Sequence, residues 1–549
     1  MGQTRYTRRN LLAAGVGSVA TGAVLAGCTD TTDGTIETES DVDDPLRIAT
    51  DSDPDSPLNI YISSHSEFDW LKDLVFDRLL APSPYVEEPM AGLATETERI
   101  DGRTWTATVR SDAEWHDGEP FTAEDVVFTY RYYRDGPQNR HSHHVNEIPD
   151  IERIESIDEE TVRFECSYPT PTLADITFAD LPILSKHVWE DVDDPYEHTE
   201  LPVGTGPYEL VSYEPGERLR LRANENYFMG EPTVEEIVVP FIRDHSTMFT
   251  ALRSGEIDTT SVGIPPSSIE DFRQDEAFDV VSATTLWLVE IRVNYERPPF
   301  DRPAVRRAVS RAIDKQSIVD VVMLGNGIPG TEGYPHPDSP WTAPDIEQPY
   351  DPDQSRALLE ELEIRDRDGD GVRETPDGEP LSFRLEVPSN EPAYIRAAEL
   401  VTENLTDVGL ETESRTLDPG AIGDLHGSRN FDMYVSRITP HGVADPDQFV
   451  MSHRSGYLWN SEIPYPEWDE LVEEFKQAEG VDGVRPVLFE MQRLFNEQPT
   501  SIPLWYEKPR FAFDPDAFDS WAESPGFGIH HKWSFLPEDA RESAITESF

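Results

Sequence analysis

Oxygen-bearing side chains recur at alternate positions in Asp366-Arg367-Asp368-Gly369-Asp370-Gly371-Val372-Arg373-Glu374, with Asp377 three residues further on. A compact Ca²⁺ loop needs several oxygen ligands on one short turn. Asp366, Asp368 and Asp370 would converge, Gly371 would allow the bend, the Val372 carbonyl would point inward, and Glu374 or Asp377 would complete the sphere. The expected role is structural, joining a helix at 353–362 to a strand at 383–387. The same string also reads as an acidic surface loop in an acidic chain. His141, His143 and His144 form a second cluster; imidazoles suit nickel or zinc, although the stretch after Gly136-Pro137 has the composition of a solvated loop. No Gly-x-Ser-x-Gly, no His-Glu-x-x-His and no Cys/His pair occurs, so the chemistry of the common hydrolases is missing. A glycosidase using two carboxylates stays the rival from another class. Carboxylates are too abundant here to single out such a pair.

That abundance is extreme. The 549 residues carry 108 Asp plus Glu against 45 Lys plus Arg, a formal charge of −63, and only 6 of the 45 are Lys. Nucleic acid and anionic membrane surfaces both call for a basic face, and are excluded as partners. With 37% hydrophobic and 10% aromatic residues the chain can still bury large cores, so it folds. Dense carboxylates with few Lys suit concentrated salt, where screening suppresses self-repulsion.

The first 28 residues read as a processing segment. Arg8-Arg9-Asn10-Leu11-Leu12 has the paired arginines of a twin-arginine export signal, and an apolar stretch runs from Leu11 to Ala26. At about 1.5 Å per residue it spans roughly 24 Å, short of the roughly 30 Å of a hydrocarbon core. Leu25-Ala26-Gly27-Cys28 follows, and resembles the lipobox at which exported lipoproteins are cleaved before a lipid-bearing cysteine. Residues 29–45, rich in Thr, Asp, Glu and Ser, read as a flexible acidic tether. Cys28 and Cys166 are the only cysteines, which leaves no disulfide framework. The expectation is a body outside the cell, attached to the membrane by lipid alone.

From Pro45 onward short strands alternate with helices, an α/β pattern of more than one lobe with no internal repeat. Strand-like runs include 46–50, 104–110, 161–165, 208–213, 218–222, 236–241, 287–293, 383–387 and 431–436. Helical patterns cover 122–133, 303–312, 353–362, 393–408, 467–478 and 485–497. Thr122 with Asp125 three residues on forms a helix start, with Thr122 as the expected cap. Asn404-Leu405-Thr406 is a formal glycosylation sequon inside one of these helices. His116-Asp117-Gly118 is a turn between strand and helix, and Gly204-Thr205-Gly206 a close-approach turn entering the strand at Tyr208.

Several of these segments resemble the solute-binding proteins of ATP-binding-cassette importers that handle dipeptides, oligopeptides and nickel complexes. They are Ala113-Glu114-Trp115-His116-Asp117-Gly118 running on to Tyr130, Val203 to Tyr208, Ser254 to Asp258, Asn294 with Pro299 to Asp314, and Pro499 to Tyr506. The resemblance implies an α/β, two-lobed, periplasmic-binding-protein-like fold (type II, cluster C), with an extra subdomain in lobe one and a two-strand hinge. Its parts would be a signal at 1–28, the tether at 29–45, lobe one at 46–285, lobe two at 286–500, and a return to lobe one at 501–549. The crossings are expected near Ala283 to Glu290 and Gln498 to Trp505. It further implies a monomeric binder, not an enzyme, which captures an oligopeptide or related solute outside the cell and hands it to the permease of an importer. A metal complex or a sugar is the alternative cargo. With the acidic composition, a halophilic archaeon is the implied source. Trp287 occupies a stretch that lines the cleft in relatives and would serve there as a stacking platform, or else as plain core. Arg437, His441 and Asp445 fall in the segment around Asp445-Pro446-Asp447 that carries ligand contacts. Peptide-binding relatives place an acid three positions before that first Asp, where this chain has Gly442.

Overall fold

Two large mixed sheets organise the body of the protein in a computed structural model that describes residues 44–54, 56–60, 69–81, 90–135, 151–170, 173–283, 287–337, 339, 341–346, 350–438, 449–450, 453–455, 465–478, 480–523 and 528–546. The first has seven strands in the order 279–282, 510–513, 259–260, 46–49, 236–240, 218–223, 208–214. Its strand Leu46–Ala49 runs parallel to both of its neighbours. The second has six, in the order 327–329, 501–507, 288–293, 433–438, 382–388, 411–417. A separate four-stranded antiparallel sheet, 94–99, 104–109, 161–166, 151–156, forms the extra subdomain of the first lobe.

The hydrophobic cores respect this division. One buries Ile48, Leu74, Tyr130, Phe164, Tyr208 and Leu221 under the first sheet and its subdomain. A second packs Val289, Val305, Leu385, Val401 and Trp505 on one face of the other sheet, and a third packs Leu288, Tyr334, Phe449, Trp468 and Tyr506 on its opposite face. The strand Leu288–Val293 shows why: Val289, Ile291 and Val293 enter the first of these two cores and Leu288 the other, as a period of two requires. The same alternation leaves Glu290 fully buried with its carboxylate 2.5 Å from Arg292 Nε.

Two chain segments join the lobes. Ser282 pairs with Arg510 in the first sheet and Leu288 with Tyr506 in the second; between them Ala283 N–H donates to Pro509 O (3.1 Å) and Glu507 N–H to Trp287 O (2.9 Å). The crossings therefore run side by side as a two-strand hinge. The strand Ser501–Glu507, assigned from sequence to the return, belongs to the second sheet. Its Ile502, Leu504 and Trp505 bury in the second lobe, and pairing with the first sheet resumes at Arg510–Phe513. The last segment docks back on lobe one through a buried ion pair: Lys532 Nζ lies 2.6 Å from Asp77 Oδ1, which also accepts from Tyr227 OH, while Thr205 Oγ1 donates to Asp77 Oδ2.

Helix starts are explicit in the side chains. At Ala123–Asp135 the roles differ from the expected cap. Asp125 Oδ2 reaches back to accept from both Thr122 N and Thr122 Oγ1 (each 2.9 Å), and Asp125 Oδ1 takes Lys186 N–H. Thr122 donates because the carboxylate, the stronger acceptor, is in reach.

Three histidines are sealed in cores. Burial pushes His453 and His530 down to about 3 and His531 to about 4, against about 6.5 in an unfolded chain. The folded state therefore binds fewer protons, so their contribution is complete above pH 6.5 and is lost as pH falls from there towards 3–4. Each should steepen acid unfolding by up to about 1.4 kcal/mol per pH unit in that window. His453→Phe, in an aromatic cage of Tyr334, Phe449, Trp468 and Phe495, should flatten the slope by one such increment when denaturation is followed at fixed molar salt between pH 4 and 7.

Candidate ligand-binding site

Both crossings arrive at one end of the second sheet, and there the charged and aromatic groups collect. Val289 is paired with Arg437 on one side and Trp505 on the other. Trp287, two residues before Val289, shares their face. The Arg437 guanidinium carbon lies 3.9 Å above the Trp287 ring, a cation–π contact. Arg437 Nη1 is 3.8 Å from Glu507 Oε2, and the two side chains keep 35% and 25% of their surface exposed. Tyr394, at the start of the helix Pro392–Asp407, packs edge-on against Trp505 at 5.8 Å. Burial raises the Glu507 carboxyl above its ordinary range, with Arg437 opposing and Glu391 adding to the rise. Burial, and Glu507 after it, likewise raise Tyr394.

The structure thus brings Trp287 and Arg437 into contact. His441 and Asp445 lie outside the described residues, as do Cys28 and the His141, His143, His144 cluster. Glu507 and Tyr394 were missed by sequence reasoning. Glu507 follows directly on the Pro499 to Tyr506 motif, but one carboxylate among 108 acids carries no signal of its own.

His116 is structural. Its backbone N–H donates to Gly204 O (2.9 Å), its Nδ1 accepts from Gly204 N–H (3.2 Å), and its Nε2 meets Gly206 O at 3.0 Å. Both ring nitrogens are committed and burial lowers its pKa, which fixes the neutral Nε2–H tautomer. The glycines it holds press onto the end of the helix Asp69–Val75, where Gly206 N–H donates to Val75 O.

The acidic loop closes on itself as the spacing predicts. Carboxylate oxygens of Asp366, Asp368, Asp370 and Glu374 all lie within 4.8 Å of one another, a group that could hold a metal ion. Gly369 and Gly371 take φ of +84° and +96°, conformations that favour glycine. Asp366 accepts from Gly369 and Gly371 N–H, and Asp370 from Val372 N–H. Asp377 is not among the converging groups; it sits in the following turn, where Gly378 N–H bonds Thr375 O. Asn404 Oδ1 accepts from Asp314 N–H, so the sequon's side chain is in structural use.

Residues 88–461 match the family described as bacterial extracellular solute-binding proteins, family 5, middle region. The chain belongs to this family. Family 5 proteins are binders and not enzymes. The chain is 31% identical over 369 residues to Protein XP55 of Streptomyces lividans, covering 64% of this chain and 66%, just under two thirds, of that relative. It is 26% identical over 468 residues to the oligopeptide-binding protein AppA of Bacillus subtilis, covering 80% and 82%. In fold it resembles the periplasmic oligopeptide-binding protein of an oligopeptide ABC transporter from Thermotoga maritima, with a TM-score of 0.78 at 21% identity over 91% of this chain and 98% of the other. The two-lobed α/β architecture inferred from sequence is thus that of family 5. No helix among the described residues is long and apolar enough to cross a membrane.

Proposed function

We propose that this protein is the capture component of an ATP-binding-cassette importer for oligopeptides, exported by the twin-arginine route and held at the outer face of the membrane by a lipid on Cys28. Residues 29–45 tether the body, which works as a monomer and presents its ligand to the permease. Ligand is taken between the lobes, on the second-lobe surface that carries Trp287 and Arg437, with His441 and Asp445 contributing from the neighbouring segment. The observation that carries this is the Trp287–Arg437–Glu507 group at the hinge end of the second sheet of a family 5 fold. The peptide cargo is supported by the relatives whose names state it. Closure about a two-strand hinge then buries the ligand, the motion available to two lobes joined by such a hinge. The acidic, Lys-poor surface supports a saline setting, since at 1 M salt the screening length falls to about 3 Å.

A thermal-shift screen in molar salt against peptide, sugar and nickel-complex panels tests the cargo. Peptides should raise the unfolding temperature and be recovered unaltered. Stabilisation by sugars or metal complexes alone would replace the peptide assignment, and chemical change of any stabilising compound would contradict binding altogether.

The loop at 366–374 we assign to a structural Ca²⁺, held by Asp366, Asp368, Asp370 and Glu374 with the Val372 carbonyl. It would pin the exit of the helix Pro352–Glu361 to the strand Ser382–Pro388. Free Ca²⁺ at ten times its dissociation constant should add about 1.4 kcal/mol of stability. Chelator should remove it, and Asp368→Asn should abolish the response in calorimetric scans.

A further inference from the structure

The lobes also meet away from their two crossings. Tyr168 lies just past the strand Thr161–Cys166 of the lobe-one subdomain, and Lys476 lies in the last turn of the lobe-two helix Pro466–Gln477. Neither element carries a crossing. The Lys476 ammonium sits 4.3 Å from the centre of the Tyr168 ring, within the range of a cation–π contact. Each lobe holds its half in place. Thr170 Oγ1 donates to Tyr168 O (3.1 Å) and Trp105 Nε1 to Thr170 O (3.2 Å), which fastens the turn carrying the ring to the subdomain. On the helix, Phe475 is buried in a lobe-two core, and Glu473, one turn back, stands 3.3 Å from Lys476 Nζ.

A lysine near a surface helix end ordinarily runs its head out into water. Lys476 keeps only 18% of its side-chain surface exposed, whereas Glu473 keeps 66%. The lysine, unlike its acid, is withdrawn from water, and the ring it lies on belongs to the other lobe. An exposed ion pair three residues apart on a helix contributes little and weakens in salt. A cation on a ring face and partly removed from solvent is screened less.

We propose that Tyr168 and Lys476 form a clasp between the lobes that favours their closed arrangement whether or not a ligand is present. Among the described residues no helix or strand of one lobe packs broadly on one of the other, so a single contact has leverage over the hinge. A contact made only when the lobes are together multiplies the closed population by its own equilibrium factor. A captured solute leaves only when the lobes part, so the same factor slows release whatever the cargo.

Spin labels at Glu96→Cys, on the subdomain strand Ala94–Arg99, and at Glu403→Cys, on the lobe-two helix Pro392–Asp407, report the separation of the lobes. Both positions are exposed and Cys166 is buried. The full chain carries Cys28→Ser and is measured in molar KCl, dialysed free of co-purifying solute. The distance distribution should contain a closed population, and Lys476→Met and Tyr168→Ala should each lower it against the open one by about five-fold. Lys476→Arg and Tyr168→Phe keep the cation and the ring face, and should stay within about two-fold of the unaltered protein. Combining Lys476→Met with Tyr168→Ala should open the protein no further than either alone. A distribution left unmoved by either of these two substitutions overturns the clasp, as does an unaltered protein that is wholly open. Equal opening by Tyr168→Phe and Tyr168→Ala overturns it too, because the hydroxyl and not the ring would then be responsible. Lys476→Met alters only a helix end and should keep the unfolding midpoint, so it decides the matter if Tyr168→Ala disturbs the subdomain.

Discussion

Gly204→Ala is expected to leave the protein unable to close its first lobe. A Cβ at this position would sit 1.8 Å from Val75 O and 2.8 Å from its carbonyl carbon. Both are backbone atoms at the end of a buried helix, so no side chain can swing aside. Relief requires the 203–207 segment to lift away, which breaks the three contacts with His116 and the Gly206 bond to Val75. Ordinary overpacking costs about 1–3 kcal/mol. Here buried polar groups are orphaned as well, at about 1–3 kcal/mol each, so the total should exceed about 4 kcal/mol. The readout is soluble yield and the unfolding midpoint in molar salt. Gly118→Ala is the control: it keeps a positive φ of +86° but has open space around it, and should cost only about 1 kcal/mol.

The second large effect lies at the other end of the chain. Lys532→Met removes the cation that faces Asp77 in a site where both side chains are buried. Breaking such a pair from one side costs about 3–5 kcal/mol, because the remaining charge is left without its counter-ion. Tyr227 and Thr205 still donate to Asp77, which places the expected loss towards the lower bound. Adding Asp77→Asn to Lys532→Met should recover part of it. Chemical denaturation of the two variants, followed by signals from each lobe, should show the loss in the first lobe and little change in the second.

Much of this architecture was legible because the residues involved have few alternatives. Apolar alternation marked the strands at 104–109, 208–214 and 288–293, and 3.6-residue periodicity marked Pro303–Ala312 and Pro392–Asp407 to within a residue. Glu411–Leu417 escaped because Glu-Thr-Glu-Ser-Arg-Thr-Leu buries only Thr412. It is an edge strand whose solvent-facing residues give no pattern. The late position of the second crossing was equally hidden, since Ser501–Glu507 and Arg510–Phe513 are both apolar strands and only their partners differ. At the ligand face, Trp287 and Arg437 could be named from resemblance. Their contact, and the part of Glu507 in it, could not, because the register that sets Arg437 against Val289 is a property of strands nearly 150 residues apart. In the acidic loop local spacing suffices, since all four converging carboxylates fall within nine residues. The charge of −63 hid Glu507 among many equivalent carboxylates.

Capture without chemistry is the central claim, and the most direct test is native mass spectrometry of the protein purified in high salt, before and after release of what it carries. The account predicts one small ligand per chain, released intact, with mass unchanged after prolonged re-incubation, and lost from Trp287→Ala and Arg437→Ala proteins that remain folded. A ligand retained undiminished by both variants, or one converted to product on re-incubation, would contradict it.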